Sequence, residues 1–143
     1  MGDSEPASPR VYVLDSFAVL AYLEDEPAAA RVQELLTQAN DGQALVLLCV
    51  VNYGEVLYIT ERERGLPEAR RVITLLEQLP IALTTADLAL TLVAAHAKAQ
   101  HTVSYADAYA VALAQTHQAT LLTGDPEFHA VEHMVNVEWL PQR

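Results

Sequence analysis

Residues 103–111 read V-S-Y-A-D-A-Y-A-V, and this is the stretch whose reading decides the fold. An apolar segment stops at Ser104, and an alanine-rich pattern of helical period starts immediately after it. Ser104 is a good N-cap. It puts Asp107 at the third helical position, beside the positive end of the helix dipole, where a carboxylate stays ionised easily. Alone, S-x-x-D is a weak capping box and needs no function. But an acid at or just after the end of a short apolar run occurs three more times in the chain, and capping does not explain the repetition.

Residues 11–14 (V-Y-V-L) have the apolar character of a buried parallel strand and end at Asp15. Residues 16–23 read as a helix, stopped by Glu24-Asp25-Glu26. Pro27 suits the first position of a second helix, striped by Val32, Leu35 and Leu36 and closed by Asn40-Asp41-Gly42. Residues 44–51 (A-L-V-L-L-C-V-V) form a second strand. Asn52 is expected to cap the helix after it, which holds Glu55 in its first turn and runs to about Arg64. Pro67 opens the next helix, 81–83 is a short third strand, and a helix covers about 86–100. The central helix reaches about His117. Residues 120–123 (T-L-L-T) are a fourth strand ended by Gly124-Asp125-Pro126, and 135–140 supply a last strand after a helical turn.

Short apolar strands alternating with helices predict an α/β domain with a mainly parallel sheet and right-handed crossovers. That domain covers 11–143, behind a flexible leader at 1–10 that is polar, holds two prolines and lacks the apolar core of a secretory signal. A chain of 143 residues, 52% hydrophobic and 19% charged, is long enough and apolar enough for one real core. No apolar run reaches the roughly 18 residues of a membrane-spanning helix. Cys49, the single cysteine, lies within the second apolar run and fits a reducing cytoplasm.

The net charge of -11 excludes a protein that coats nucleic acid by charge alone. It does not exclude an enzyme acting on nucleic acid, because gathered carboxylates are what a divalent cation requires. In parallel α/β sheets ligands collect beyond the carboxyl ends of the strands. Asp15, Asp107 and Asp125 follow strands there, and Glu55 lies just inside a helix, so all four are expected on one edge. Each has an ordinary reading: Asp15 and Asp125 as helix caps, Glu55 as an exposed helix residue. Those readings leave unexplained why only the 81–83 strand lacks an adjacent acid, with Asp87 arriving late. Crowded, buried carboxylates hold their protons unless a cation neutralises them, and hard oxygen ligands without Cys or His select Mg2+ or Mn2+.

V-L-D-S at 13–16, V-N-Y-G-E at 51–55, S-Y-A-D-A at 104–108 and T-G-D-P-E-F at 123–128 resemble the four acidic motifs of PIN-domain nucleases. Within that family they are similar to VapC-type toxins of prokaryotic toxin–antitoxin pairs, in order and spacing over roughly 11–140. The resemblance implies a PIN-like three-layer fold, with a five-stranded, mainly parallel sheet in order 3-2-1-4-5 flanked by helices. It implies an endoribonuclease dependent on Mg2+, with Mn2+ able to substitute, that uses metal-activated water and leaves a 5′-phosphate and a 3′-hydroxyl. It also implies a homodimer and inhibition by a cognate VapB-type antitoxin. By position, Asp15, Glu55, Asp107 and Asp125 match the catalytic acids, with Asp15, Asp107 and Asp125 as metal ligands and Ser104 and Thr123 at hydroxyl positions near the acids, in a supporting role. Arg62 and Arg64, in the local basic cluster, are candidates for gripping the RNA backbone.

Three rival chemistries fit less well. His129, Glu132 and His133 spell the inverted zinc-peptidase pattern H-x-x-E-H, but no third ligand accompanies them. A phosphoacceptor receiver needs a lysine after a late strand, whereas Lys98, the sole lysine, is mid-helix, and no phosphate-binding P-loop motif is present. A non-catalytic interaction module on the same fold would use Phe17, Tyr22, Tyr53 and Tyr58 as a partner surface; the intact quartet of acids favours an enzyme.

Overall fold

The apolar run around Val13 becomes β1 (Arg10–Leu14), the central strand of a five-stranded sheet, because it can be buried on both faces: Val13 and Leu14 are fully enclosed. The computed structural model describes residues 8–142. After β1 come α1 (Ser16–Leu23), α2 (Ala29–Asn40), β2 (Ala44–Cys49), α3 (Val50–Arg64), α4 (Leu66–Glu77), β3 (Ala82–Thr84), α5 (Leu88–Gln100) and α6 (Tyr105–His117). The chain ends with β4 (Thr120–Thr123), a 3-10 turn (Pro126–Val131) and β5 (Asn136–Trp139).

The strand order is β3-β2-β1-β4-β5, with every pairing parallel. Alternation along each strand splits the core in two. Val13, Leu47 and Leu121 face α5, α6 and the 3-10 turn, together with Val111, Phe128 and Val131. Leu14, Leu48 and Leu122 face the opposite layer of α1, α2, α3 and α4, with Val32, Leu35, Val56, Val72 and Leu76. Each fully buried Val or Leu contributes roughly 1.5–3 kcal/mol, so the two layers hold the strand ends in fixed relative positions. Among the described residues no helix is long and apolar enough to cross a membrane.

Several local expectations are corrected. Residues 1–7 of the expected leader lie outside the described residues, and Arg10, its last residue, is already paired with Ala44 in β1. Pro27 sits in the turn before α2, which opens on Ala28 and Ala29 without a side-chain cap. Asn52 is not a cap: β2 ends with Cys49 paired to Thr84, and α3 begins at Val50 without an intervening loop. Asn52 therefore falls in the first turn and Glu55 in the second. Asp87 caps α5, its Oδ1 accepting from Leu90 N–H at 2.9 Å, which accounts for this acid locally.

Candidate metal centre

The parallel strand order brings the ends of β1 and β4 and the starts of α1, α3 and α6 to one edge of the sheet. Asp15 is the N-cap of α1 and is 1% exposed. One oxygen serves the cap, with Oδ1 accepting from Ala18 N–H at 2.9 Å, and the other accepts from the hydroxyl of Thr123 at 2.5 Å. Thr123, itself fully buried at the end of β4, also accepts from Asp125 N–H at 3.0 Å. Asp125 in turn caps the 3-10 turn through Glu127 N–H at 2.9 Å. The capping readings of Asp15 and Asp125 are thus correct: capping engages one oxygen of each carboxylate, and in Asp15 the second oxygen is held by Thr123.

From α6 comes Asp107, buried to 5% exposure, with Ser104 Oγ accepting its N–H at 3.1 Å. Ser104 N–H is donated to Glu127 Oε1 at 3.1 Å, drawing the 3-10 turn over the start of α6. Carboxylate oxygens of Asp107, Asp125 and Glu127 lie within 4.8 Å of one another. Glu55, half-buried on α3, accepts from Ser16 Oγ at 2.5 Å and adds its charge to the field on Asp107.

The electrostatics follow from this crowding. Burial pushes the Asp15 carboxyl up to about 7. Hydrogen bonds from Thr123 and Ala18 oppose that rise, and the charges of Asp107 and Asp125 add to it. Asp107 is likewise pushed up to about 7, by burial first, against hydrogen bonding with Ser104, and then by Asp125, Glu127 and Glu55. Among the described residues no basic side chain contributes to either shift, so they leave the negative charge uncompensated. The donor set is all carboxylate oxygen, with no Cys or His, and it fits a hard divalent cation of the Mg2+ or Mn2+ kind.

Of the four acids expected from sequence, Asp107 and Asp125 share a cluster with Glu127, while Asp15 feels the charges of Asp107 and Asp125 and Glu55 acts on Asp107; Ser104 and Thr123 are hydrogen-bonded among them. Glu127 was not singled out from sequence; its signal was the D-P-E spacing, which puts a second acid in the turn that Asp125 caps. Asn52, which after an apolar run has the look of a cap, instead reaches across to α6, Nδ2 donating to Ala106 O at 3.0 Å. Arg62 lies over the Tyr58 ring at 5.1 Å, whereas Arg64 is paired with Glu24 at 3.1 Å. The H-x-x-E-H residues do not converge: His129 stacks on Trp139 and contacts Glu132, while His133 packs edge-on against His101.

A family model described as PIN domain matches residues 12–134. No curated protein matches the sequence. The fold is similar to that of VapBC2 from Rickettsia felis, solved bound to a promoter DNA fragment, with TM-score 0.72 and 13% identity over 92% of this chain and 99% of that one. It is similar to VapC20 of Mycobacterium tuberculosis, a toxin cleaving the sarcin-ricin loop, with TM-score 0.70 and 16% identity over 91% and 99%. VapBC-1 from nontypeable Haemophilus influenzae gives TM-score 0.67 and 18% identity over 90% and 97%. At these identities the likeness speaks for the fold.

Proposed function

Since the chain belongs to the PIN-domain family of nucleases, we propose that it is a Mg2+-dependent endoribonuclease and the toxin of a type II toxin–antitoxin pair. The observation that carries this reading is the convergence of the Asp107, Asp125 and Glu127 oxygens within 4.8 Å, beside a buried Asp15. Asp15, Asp107 and Asp125 would hold the Mg2+, with Mn2+ able to replace it. When bound, the cation supplies positive charge that orients a phosphodiester and acidifies a water beside it. The chain's own groups do the rest. Thr123 and Ala18 N–H fix the Asp15 carboxylate, Ser104 and Glu127 fix the start of α6, and Glu55 stands opposite as a proton acceptor. Water adds in line to phosphorus and the bond to the 3′ oxygen breaks, leaving a 5′-phosphate and a 3′-hydroxyl.

The partner is a VapB-type antitoxin, in keeping with the toxin–antitoxin complexes among the similar folds. A basic side chain entering the acidic edge would supply the compensation that the edge lacks. A homodimer is supported by α5, which is apolar around most of its circumference but covered only along Leu90, Ala94 and Ala97. Leu88 is 74% and Leu92 62% exposed, and Leu83 on the edge strand β3 is exposed as well. From 78 to 106 the chain holds one acid and one lysine out of 19 acids and 8 basic residues, so two copies meet there without charge repulsion. The setting is the cytoplasm, where RNA is available and the buried Cys49 thiol needs no partner.

The test is RNA cleavage by purified protein beside Asp15→Asn and Asp107→Asn. Mg2+ should start cleavage, EDTA should stop it, and either substitution should remove it. Equal cleavage by all three proteins would point to a contaminating nuclease and end the assignment.

A further inference from the structure

Asn52 is fully buried in the first turn of α3, yet its amide is only half used. Nδ2 donates to Ala106 O at 3.0 Å, while Oδ1 has no hydrogen-bond partner among the described residues. The accepting carbonyl belongs to the first turn of α6 and already has an intrahelical donor four residues on, so backbone accounting does not call for Asn52. A shape-matched apolar side chain would seal the α3–α6 contact without leaving a buried acceptor unpaired. The bond instead reaches the residue immediately before Asp107. One turn further along α3, on the same side, stands Glu55, whose charge acts on Asp107.

We propose that Asn52 is a positioning residue for the acidic centre: by tethering α3 to the Ala106 carbonyl it sets where the Asp107 carboxylate stands relative to Glu55. The inference rests on the metal-dependent nuclease reading and gives a role to the asparagine of the V-N-Y-G-E stretch, which from sequence alone has the look of a helix cap. The amide touches neither the acids nor a substrate; it acts through the backbone turn that carries Asp107. In this respect it resembles the groups that orient a metal ligand from behind.

Asn52→Leu removes both the donor and the orphaned acceptor at similar volume. In metal-free buffer its thermal midpoint should equal or exceed the wild-type value, while Mn2+ affinity by calorimetry falls about tenfold or more. With Mg2+, kcat on RNA should fall by a similar factor with KM within about twofold, as expected for geometry lost at the reacting centre rather than lost binding. Asn52→Ala lacks the same donor but leaves a hole, so it should show the same loss of Mn2+ affinity at a lower midpoint; it carries the test if Asn52→Leu does not fold. Wild-type Mn2+ affinity and kcat in either folded variant would overturn the inference and leave the nuclease reading intact. So would an affinity that tracks the thermal midpoint across the two variants. Wild-type protein that neither binds Mn2+ nor cleaves RNA would bring down both together.

Discussion

The hydroxyl of Thr123 donates to Asp15 Oδ2 across 2.5 Å, tying the carboxyl end of β4 to that of β1 inside the protein. The two residues are 108 positions apart and neither is exposed, so the bond exists only once the sheet has formed. Thr123→Val keeps the shape and deletes the donor, leaving a carboxylate oxygen buried without its partner. The substitution should cost about 1–3 kcal/mol in denaturant unfolding and weaken Mn2+ binding. Wild-type stability and affinity in this variant would show that the hydroxyl contributes nothing to the centre.

Asp15 and Asp107 also set a pH dependence. In the unfolded chain both lose their protons near pH 4, whereas the folded protein holds them to about 7. Between those values the folded state binds more protons than the unfolded one, so metal-free stability falls as pH rises from about 4 to about 7 and levels off above. The loss by pH 8 is of the order of several kcal/mol. It is less than the sum of two independent shifts because the two acids share one repulsion. Mg2+ should remove most of it. Unfolding midpoints at pH 5 and pH 8, in EDTA and in Mg2+, check this; a midpoint in EDTA that rises with pH contradicts it.

Asp107→Asn separates stability from function at the same position. The amide removes the charge that burial, Asp125, Glu127 and Glu55 all oppose. The metal-free variant should be more stable than wild type at pH 8, show a shallower pH slope and bind no Mn2+ detectable by calorimetry. A destabilised variant that still binds Mn2+ would mean that Asp107 is a structural cap, the bland role that S-x-x-D alone suggests.

The acids could be found in the sequence because each sits at a junction, where an apolar run ends and a helical period begins. The strand order was a different matter: alternation of strands and helices gave a parallel sheet, and only the likeness of four motifs implied 3-2-1-4-5. What could not be read locally is what depends on partners distant in the chain. Asn52 after an apolar run reads as a cap, and its actual partner lies 54 residues away on another helix. Glu127 reads as an ordinary acid in a capped turn until Ser104 N–H draws it toward Asp107. Pro27 fails to open α2 because the chain reverses first, with Asp25 at positive φ and Glu26 N–H bonded back to Ala21 O at 2.9 Å.

The bare face of α5 gives a prediction about assembly. Leu92→Glu places a charge at its centre, on a side chain already 62% exposed in a single copy. The monomer fold should therefore change by no more than about 0.5 kcal/mol. Light scattering should report a dimer for wild type and a monomer for the variant at the same concentration, with circular dichroism unchanged. A wild-type protein monomeric at all concentrations tested would remove the second copy from the proposal and leave the acidic centre as it is.

Gly124 links Thr123 to Asp125, and its missing side chain is a packing requirement. A Cβ built there runs into the ring of Phe17, which lies at the start of α1 just after Asp15. The ring is therefore seated directly on the backbone that joins two members of the centre, and it has to shift before a methyl group fits there. Gly124→Ala should cost about 1–3 kcal/mol from overpacking and lower Mn2+ affinity by shifting Asp125. Phe17→Leu in the Gly124→Ala background should recover part of both losses, because a smaller side chain clears the new methyl. A double-mutant cycle decides the matter: coupling of opposite sign to the single losses means that ring and glycine form one fitted contact. Simple additivity would mean that the alanine acts elsewhere, on the backbone of the 123–125 turn itself.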